Sequence, residues 1–300
     1  MRSSEGYVFV RPGLHLYSRV IGDGPEVVLV PNANWLAELL LPLAERRTLI
    51  FYDPRSRGRS SAVDPRQLGL EEDLADLEAV RRFYGVDRAA LIGHSYHAAV
   101  TALYALDNPR RVDRMLLVCP ITPRRPGEWE QETPTVEELV HPPGIPRLEE
   151  LRQAGLDRDD PVAYCRAWFH SFLLPAQMGD LTAAARFPVD DIASFPNEWP
   201  PHALSIYFDH ILPKMGSWDF RLRLADLDLP VLVLQGTEDL VPLQASRDWA
   251  ASCSGGRFLA IEGAGHHPYI EKPSEFFPAA EAFLSGDWPP AAEVVRGAFS

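Results

Sequence analysis

The sequence predicts an α/β fold with a mostly parallel central sheet, flanking helices and an inserted, mainly helical cap. Short, nearly continuous apolar runs such as "EVVLVP", "AALIGHS" and "LPVLVLQG" are typical of strands buried on both faces. Helical segments separate these runs, and this alternation favours right-handed crossovers between parallel strands. The alternation stops after Pro120 and resumes near Pro230, which indicates an insertion between them.

Composition limits the class of protein. The chain has 300 residues, of which 46% are hydrophobic and 24% charged, as expected for a folded protein with one sizeable core. A formal net charge of -13 argues against nucleic acids and anionic membranes as partners, because both are bound through clustered Lys and Arg. The three cysteines form no Cys-x-x-Cys pair. Neither a signal peptide nor a span of roughly 20 apolar residues is visible. We expect a cytoplasmic protein with a small-molecule substrate and no metal or cofactor.

The elements of the first half follow one another regularly. Residues 7 to 21 alternate around a Pro-Gly turn and predict a hairpin at a sheet edge. "EVVLVP" and "TLIFYD" predict two strands with a helix between them. A helix from Leu70 to Tyr84 is indicated by one apolar face, acidic residues in its first turn and arginines in its last. "AALIGHS" and "RMLLVCP" predict two more strands, separated by a helix from about Tyr96 to Asp107.

The second half contains the predicted insertion. Residues 122–218 are rich in proline and aromatic residues and contain no convincing strand, so we assign them to the cap and assign 1–121 and 219–300 to the core. Within the cap, the acidic run from Glu128 to Glu138 around Trp129 could bind an amine, but we favour a solvated helix face. "LPVLVLQG" and "GRFLAIEGA" predict the last two strands, and residues 287–300 a loosely held tail.

Three polar residues follow three of these strands. Ser95 follows "AALIG", Asp239 follows "PVLVLQGTE" and His266 follows "FLAIEGAG". A serine hydroxyl is a weak nucleophile at neutral pH, so a histidine must take its proton and a carboxylate must orient that histidine. Because the carboxyl ends of parallel strands open onto one sheet edge, these three side chains can meet there.

Four loops give the chain a family resemblance. Gly93-His94-Ser95 matches the first half of a nucleophile elbow, "GTEDLVP" an acid loop and "GAGHHPYIEKP" a histidine loop. "YDPRSRGRS" is similar to an Asp-x-Arg-Gly-x-Gly-x-Ser turn, with Ser56 where that pattern has its first glycine. In this order, over roughly residues 7 to 286, the loops resemble those of the α/β-hydrolase superfamily. The cap matches only in position and composition.

The resemblance implies a role for each matching residue. Ser95 corresponds to the nucleophile, Asp239 to the acid and His266 to the base. The backbone N–H of Tyr96 corresponds to one oxyanion donor and, by position in "PNANW", that of Ala33 to the other. Asn32 stands where the family often has a glycine of unusual conformation, and asparagine tolerates positive φ better than most residues.

The predicted substrate-binding residues come from this loop, from the elbow and from cap aromatics. A single cap aromatic more often belongs to the cap's own core, but together these aromatics favour an apolar or aromatic substrate. The residues assigned to substrate binding are Asn34, Trp35, Tyr96, Trp168, Phe172 and Tyr207. The side chain of Asn34 is an extra candidate donor to the oxyanion.

Several residues have more ordinary interpretations. Ser95 alone could be a helix N-cap. His97 stands where the elbow prefers a small residue, and we favour its packing beneath the helix, away from Ser95, over a second catalytic histidine. We expect His94 to point into the protein below the site. A metal site on His94 and His97 lacks a third ligand at a telling spacing.

The base and the acid also have rivals. His267 competes with His266, but neighbouring loop side chains diverge and the Gly-x-Gly-His match favours His266. Glu238 and Asp226 compete with Asp239, whose loop directly follows a buried strand.

The sequence therefore predicts a serine hydrolase of an ester, thioester or lactone of a small apolar or aromatic metabolite. An alternative is an aminopeptidase like the proline iminopeptidases, although their His-Gly-Gly-Pro-Gly loop and Gly-Gly-Ser elbow are absent. Because the fold also carries non-hydrolytic cyclases, lyases and ligand-binding proteins, a role of that class stays open. The sequence does not predict an oligomeric state.

Overall fold

The computed structural model describes residues 2–125 and 144–296, and an eight-stranded sheet lies at their centre. The strands are β1 (Ser3–Arg11), β2 (Leu14–Ile21), β3 (Glu26–Pro31), β4 (Arg47–Tyr52), β5 (Ala89–His94), β6 (Val112–Val118), β7 (Pro230–Gly236) and β8 (Gly255–Ile261). Their order across the sheet is β1-β2-β4-β3-β5-β6-β7-β8. The predicted α/β architecture is confirmed.

The sheet is antiparallel at one edge and parallel elsewhere. β1 and β2 form the predicted hairpin, with Tyr7 opposite Tyr17, and β2 continues antiparallel against β4. All neighbouring pairs from β4–β3 to β7–β8 are parallel. The carboxyl ends of β3 to β8 therefore lie along one edge of the sheet, and the loops predicted to carry the chemistry begin there.

Helices connect and cover the strands. Before β7 they are α1 (Ala33–Leu36), α2 (Leu70–Phe83), α3 (Tyr96–Asp107), α4 (Gly144–Gln153), α5 (Leu156–Asp159), α6 (Pro161–Trp168), α7 (Leu174–Gln177), α8 (Val189–Ala193), α9 (His202–Ser205), α10 (Leu212–Met215) and α11 (Arg221–Leu224). After β7 they are α12 (Leu243–Ser252), α13 (Pro268–Glu271) and α14 (Pro273–Leu284). In the two described ranges, no helix has the length and apolar character that crossing a bilayer requires.

The sheet is buried on both faces because alternate residues of its strands point in opposite directions. Leu29 of β3 and Leu91 of β5 pack with α2 and α3 on one face. Val30 and Ile92, one position further along each strand, pack on the other face with residues of α1 and α14. This two-sided burial explains why the strands read as continuous apolar runs rather than as alternating patterns.

The segment between β6 and β7 is mainly helical from residue 144 onward. Its α-helices are α4 to α11, and those up to residue 218, α4 to α10, are joined by π-helical turns at Phe169–Leu173 and Ile206–Ile211 and by 3-10 turns at Leu181–Arg186 and Pro196–Glu198. The predicted face from Glu128 to Glu138, with Trp129, lies outside the described residues. The assignment of 122–218 to a separate cap domain stays a prediction, and we use "cap" below for the helices α4 to α10 and their connecting turns.

The expectation of a loosely held tail is wrong for the described part of it. Glu293 forms a bridge with Phe258 of β8, through two backbone hydrogen bonds of 2.9 Å. Its carboxylate also lies 2.6 Å from the guanidinium of Arg247. Trp288 packs against Phe283, with ring centroids 5.3 Å apart. The tail sequence lacks periodicity, so nothing in its pattern indicated this contact with the sheet edge.

Candidate active site

Ser95 lies between the end of β5 and the start of α3 in a sharply strained conformation. Its backbone has φ 55° and ψ -125°, a region that side-chain-bearing residues rarely occupy. Its hydroxyl makes no capping hydrogen bond to the helix that follows, which argues against the N-cap interpretation. Gly93 permits the close approach of strand and helix, since a Cβ there would lie 2.4 Å from the Thr101 hydroxyl oxygen.

Asp239 and His266 are brought together from the loops after β7 and β8. The Nδ1 of His266 lies 2.9 Å and 3.1 Å from the two carboxylate oxygens of Asp239. This hydrogen bond places the ring proton on Nδ1, so Nε2 is left free to accept a proton. The backbone N–H of Val241 donates to Asp239 at 3.0 Å, and that of His266 donates to the carbonyl of Gln177 at 2.7 Å. Both side chains are thus held in place.

The rival base and acids occupy other positions. His267 Nε2 donates to the amide oxygen of Gln177 at 2.8 Å, and its Nδ1 accepts from the Tyr269 hydroxyl at 2.8 Å. Both ring nitrogens of His267 are therefore engaged, and burial holds its pKa well below the usual range. The side chains of Glu238 and Asp226 are exposed. The geometry favours His266 and Asp239 over these alternatives.

His94 has the structural position that we expected. It is buried, and its Nε2 donates to the carbonyl oxygen of His266 at 2.9 Å. Burial lowers the pKa of His94 to about 3, so its ring is neutral at pH 7. It therefore supports the histidine loop as a neutral hydrogen-bond donor.

The loop after β3 carries the predicted oxyanion donor. Asn32 has φ 74° and ψ 57°, the left-handed conformation that asparagine was expected to tolerate. Ala33 is the first residue of α1 and Tyr96 the first of α3, so neither N–H has an acceptor in its own helix. The next N–H along the loop, that of Asn34, donates to the carboxylate of Asp53 at 2.8 Å.

One cavity of about 420 Å³ connects Ser95 and His266 with the cap. Its described wall is mostly apolar and includes five of the six residues predicted to bind substrate: Trp35, Tyr96, Trp168, Phe172 and Tyr207. Asn34 is the exception. It is absent from the described wall, so we withdraw it as a substrate contact. Its backbone N–H donates to Asp53, and its Cβ lies beside Gly58.

His97 does not pack away from the site as we expected. Its side chain is buried yet lines the same cavity as Ser95, with its ring centroid 5.4 Å from that of Tyr96 and 6.5 Å from that of Tyr207. Tyr207 belongs to the π-helical turn Ile206–Ile211 of the cap, so the bulky His97 ring lies under the cap. Burial and the positive charge of Arg57 hold the pKa of His97 well below its usual range.

Two buried carboxylates near the cavity were missed at the level of sequence. Asp53 accepts from the backbone N–H groups of Asn34 and Arg59, at 2.8 Å and 3.0 Å, and burial raises its pKa to about 7. Glu198 of the cap accepts from the Gly58 N–H at 2.6 Å and from the Trp35 indole at 3.0 Å, and burial raises its pKa. Asp53 stands in the quoted turn "YDPRSRGRS", whereas no pattern marked Glu198.

One group of candidate metal ligands occurs among the described residues. Cys119, Asp239 and His266 offer ligand atoms within 4.8 Å of one another. Asp239 and His266 are already hydrogen bonded to each other, and burial raises the pKa of the Cys119 thiol well above its usual value. Because the Nδ1 of His266 already donates to the Asp239 carboxylate, we assign no metal role to this group.

Comparison with known proteins identifies the family. The family described as "alpha/beta hydrolase fold" matches residues 31–273. The chain belongs to this family. The match begins at the last residue of β3 and includes the loops of Ser95, Asp239 and His266.

Individual relatives of this alpha/beta hydrolase are distant but cover most of its length. RutD of Caulobacter vibrioides, provisionally named a carbamate hydrolase, is 26% identical over 272 residues, 88% of this chain and 91% of its own. A proline iminopeptidase of Lactobacillus delbrueckii subsp. lactis is 24% identical, over 87% and 91% of the two chains. The crystal structure of the esterase RhEst1 from Rhodococcus sp. ECU1013 superimposes with a TM-score of 0.68 at 24% identity, covering 95% of this chain and 99% of the esterase. At this identity the structural likeness shows the fold alone.

Proposed function

We propose that this alpha/beta hydrolase is a serine hydrolase that cleaves an ester, thioester or lactone of a small apolar molecule. One observation carries the proposal. Ser95, in the strained turn between β5 and α3, shares a cavity with His266, whose Nδ1 donates to the Asp239 carboxylate at 2.9 Å. In this proposal the three residues are the nucleophile, the base and the acid that orients the base, which acyl transfer to a serine requires.

The mechanism assigns one task to each group. His266 Nε2 takes the Ser95 proton as Oγ attacks the carbonyl carbon, and Asp239 stabilises the imidazolium that forms. The N–H groups of Ala33 and Tyr96 stabilise the oxyanion of the tetrahedral intermediate, an effect worth roughly 2.7 to 4 kcal/mol per donor. His266 returns the proton to the departing alkoxide or thiolate. Water, activated by the same nitrogen, then hydrolyses the acyl-enzyme.

The cavity supports an apolar acyl or alcohol group. Phe169, Leu173, Leu204 and Ile206 line it together with the aromatic residues named above. Apolar walls with few polar groups favour a small molecule whose body is hydrocarbon or aromatic. The names of the relatives, an esterase and a provisional carbamate hydrolase, are compatible with acyl substrates of this size.

A labelling experiment tests the nucleophile. The protein is treated with a fluorophosphonate probe and digested, and the labelled peptide is identified by mass spectrometry. We expect the label on Ser95 and its loss in Ser95→Ala, together with a loss of ester hydrolysis of more than about a thousandfold. A folded wild-type protein whose Ser95 stays unlabelled would refute the proposal.

A substrate panel separates the remaining activities. Aryl esters, lactones, carbamates and prolyl amides are compared at equal enzyme concentration. Preference for prolyl amides would favour the aminopeptidase alternative. Turnover or ligand binding that survives Ser95→Ala would instead favour a non-hydrolytic role on this fold.

A further inference from the structure

Glu198 of the cap is a buried carboxylate that forms no ion pair within 4.0 Å with any residue of 2–125 or 144–296. Glu198 is only 6% exposed. Burying a charge is costly unless the charge is paired. The neighbouring Arg57 is engaged by Asp73, whose two carboxylate oxygens lie 2.8 Å and 2.6 Å from its terminal nitrogens. Glu198 is instead held by two neutral donors, the Gly58 N–H at 2.6 Å and the Trp35 indole N–H at 3.0 Å.

The two donors belong to two separate loops of the core. Trp35 lies in α1, the short helix within the loop that follows β3, and Gly58 lies in the loop after β4. Asp53 already joins the same two loops, since its oxygens accept from the N–H groups of Asn34 and Arg59. One carboxylate from the core and one from the cap therefore clamp a single pair of loops.

Attachment of the cap does not by itself require Glu198. The adjacent Asn197 donates through Nδ2 to the carbonyls of Gly58 and Ser60, at 3.0 Å and 2.9 Å. These bonds connect the cap only to the loop after β4. What Glu198 adds is the bond to Trp35, two residues after the proposed oxyanion donor Ala33.

We propose that Glu198 is a positioning residue that fixes the oxyanion loop from the cap through Trp35. The inference rests on the proposed serine hydrolase function. With Glu198 in place, the indole is anchored at its polar end, and this bond adds to the hold of Asp53 on α1, the helix that begins at Ala33. Because Trp35 and Glu198 both line the cavity, an acyl group that packs on them contacts this bond directly.

The expected effect is on the transition state more than on substrate binding. An oxyanion forms only after attack, so a displaced donor weakens the tetrahedral state and leaves the ground state nearly unchanged. A displacement of about 1 Å at a reacting group can lower a rate by about a hundredfold. The cap would then contribute to kcat and not merely cover the cavity.

The test combines two conservative substitutions and their double variant. Glu198→Gln keeps the volume but has one acceptor oxygen for two donors, and Trp35→Phe keeps an aromatic ring but lacks the indole N–H. We expect each to lower kcat for an activated aryl ester about 10- to 100-fold, with KM changed less than about threefold. In the double variant, the two losses should fall well short of multiplying, because both remove the same bond.

A second measurement distinguishes positioning from loss of structure. A trifluoromethyl ketone forms a tetrahedral oxyanion on the serine, so its affinity should fall by the same factor as kcat, whereas the affinity for the product acid should not. Glu281→Gln on α14 removes a carboxylate that pairs with Arg47 and lies outside the described cavity wall, so it serves as a control and should leave kcat and inhibitor affinity unchanged. Thermal unfolding of every variant checks the fold.

Three results would overturn the positioning role. One is an unchanged kcat in both single variants. Another is a double variant in which the losses multiply. The third is a loss in Asn197→Ala as large as that in Glu198→Gln, because cap attachment alone would then explain it. Failure of the hydrolase proposal looks different, since wild-type Ser95 would then resist the fluorophosphonate. Labelling of Ser95 with any of the three results refutes only the role of Glu198.

Discussion

His97 is a buried histidine beside the proposed nucleophile, and its environment decides what it can do. Burial and the nearby Arg57 lower the pKa of His97 well below its usual range, so the ring is a weak base at neutral pH. The Asp239 carboxylate, which orients His266, makes no contact of this kind with His97 among the residues described. His97 is therefore suited to shaping the cavity and not to accepting the serine proton.

Replacing His97 by glutamine tests this assignment. We expect His97→Gln to change kcat by less than about tenfold and to shift the preference among acyl groups, whereas His266→Gln should lower kcat more than about a thousandfold. Steady-state kinetics on a series of aryl esters measures both effects. A folded His97→Gln protein as inactive as His266→Gln would show that His97 is catalytic.

Asp53 gives the protein a specific dependence of stability on pH. Burial raises the pKa of Asp53 to about 7, whereas in the unfolded chain an aspartate titrates near pH 4. Between these values the folded state holds a proton that the unfolded state has released. The contribution of Asp53 to the free energy of unfolding therefore falls as pH rises from about 4 to about 7, and it is constant above that.

The variant Asp53→Asn isolates this contribution from those of Glu198, Arg59 and the buried histidines. The variant should gain stability relative to wild type as pH rises from 5 to 7, by up to about 1.4 kcal/mol per pH unit, and the gain should level off above about pH 8. Urea unfolding of both proteins at each pH provides the difference. A difference that stays constant over this range would mean that the folded state does not hold the proton and that burial does not raise the pKa of Asp53.

The residues of the site differ in how visible they are in the sequence. Ser95, Asp239 and His266 could be predicted because each follows a recognisable strand and the three loops come in the family's order. The acceptor role of Glu198 could not, because its partners Trp35 and Gly58 lie 163 and 140 positions away and the segment around it has no motif. The position of His97 under the cap depends on the same long-range packing.

At the scale of elements, β5 and α3 approach each other very closely at Gly93. A Cβ on Gly93 would lie 2.6 Å from the Ala98 Cα and 2.6 Å from the His97 carbonyl oxygen. Both neighbours are backbone atoms, so neither can move without shifting the helix that begins after Ser95. The elbow therefore has no room for a side chain at this position.

Substituting Gly93 by alanine should be destabilising. We expect Gly93→Ala to lower the free energy of unfolding by about 1 to 3 kcal/mol, as overpacking does elsewhere, and to reduce labelling of Ser95. Gly6→Ala in β1 is a matched control, because a Cβ there meets no heavy atom within 4 Å. Urea unfolding compares the two variants, and equal stabilities would contradict the close-packing argument.

The predictability of an element depended on its length and surroundings. The strands were recognisable because both sheet faces are buried, and the helix predicted from Leu70 to Tyr84 was found at Leu70–Phe83. Cap helices such as Leu174–Gln177 have only 4 residues, whereas helical periodicity needs roughly 11 residues to be visible. The bridge between Glu293 and Phe258 is a single long-range contact and leaves no pattern.

At the scale of the whole molecule, the cap and the sheet edge share the cavity, so its size should select the acyl group. Ala176 of α7 lines the cavity from the cap side. We expect Ala176→Phe to lower kcat/KM about tenfold for bulky aryl esters and less than about twofold for acetate esters. A chain-length series measures this selectivity. A uniform loss across the series would indicate a damaged site instead of a filled cavity.

The net charge of -13 is a property of the sequence, and it predicts which partners the protein should not bind. A strongly acidic chain should be repelled by nucleic acids and anionic membranes, and this exclusion, like the expected cytoplasmic location, stays a prediction. Sedimentation with anionic vesicles at low salt would check the membrane part.

The bond between Glu198 and Trp35 also bears on how such enzymes can be redesigned. A lid grafted onto this sheet from a relative without a carboxylate at the position of Glu198 would bring its own pocket but would leave the indole of Trp35 without its acceptor. The graft would then acquire a new substrate range together with a slower chemical step. A successful chimera would have to exchange the segment after β3 together with the lid. Trp35 and its acceptor would then come from the same parent.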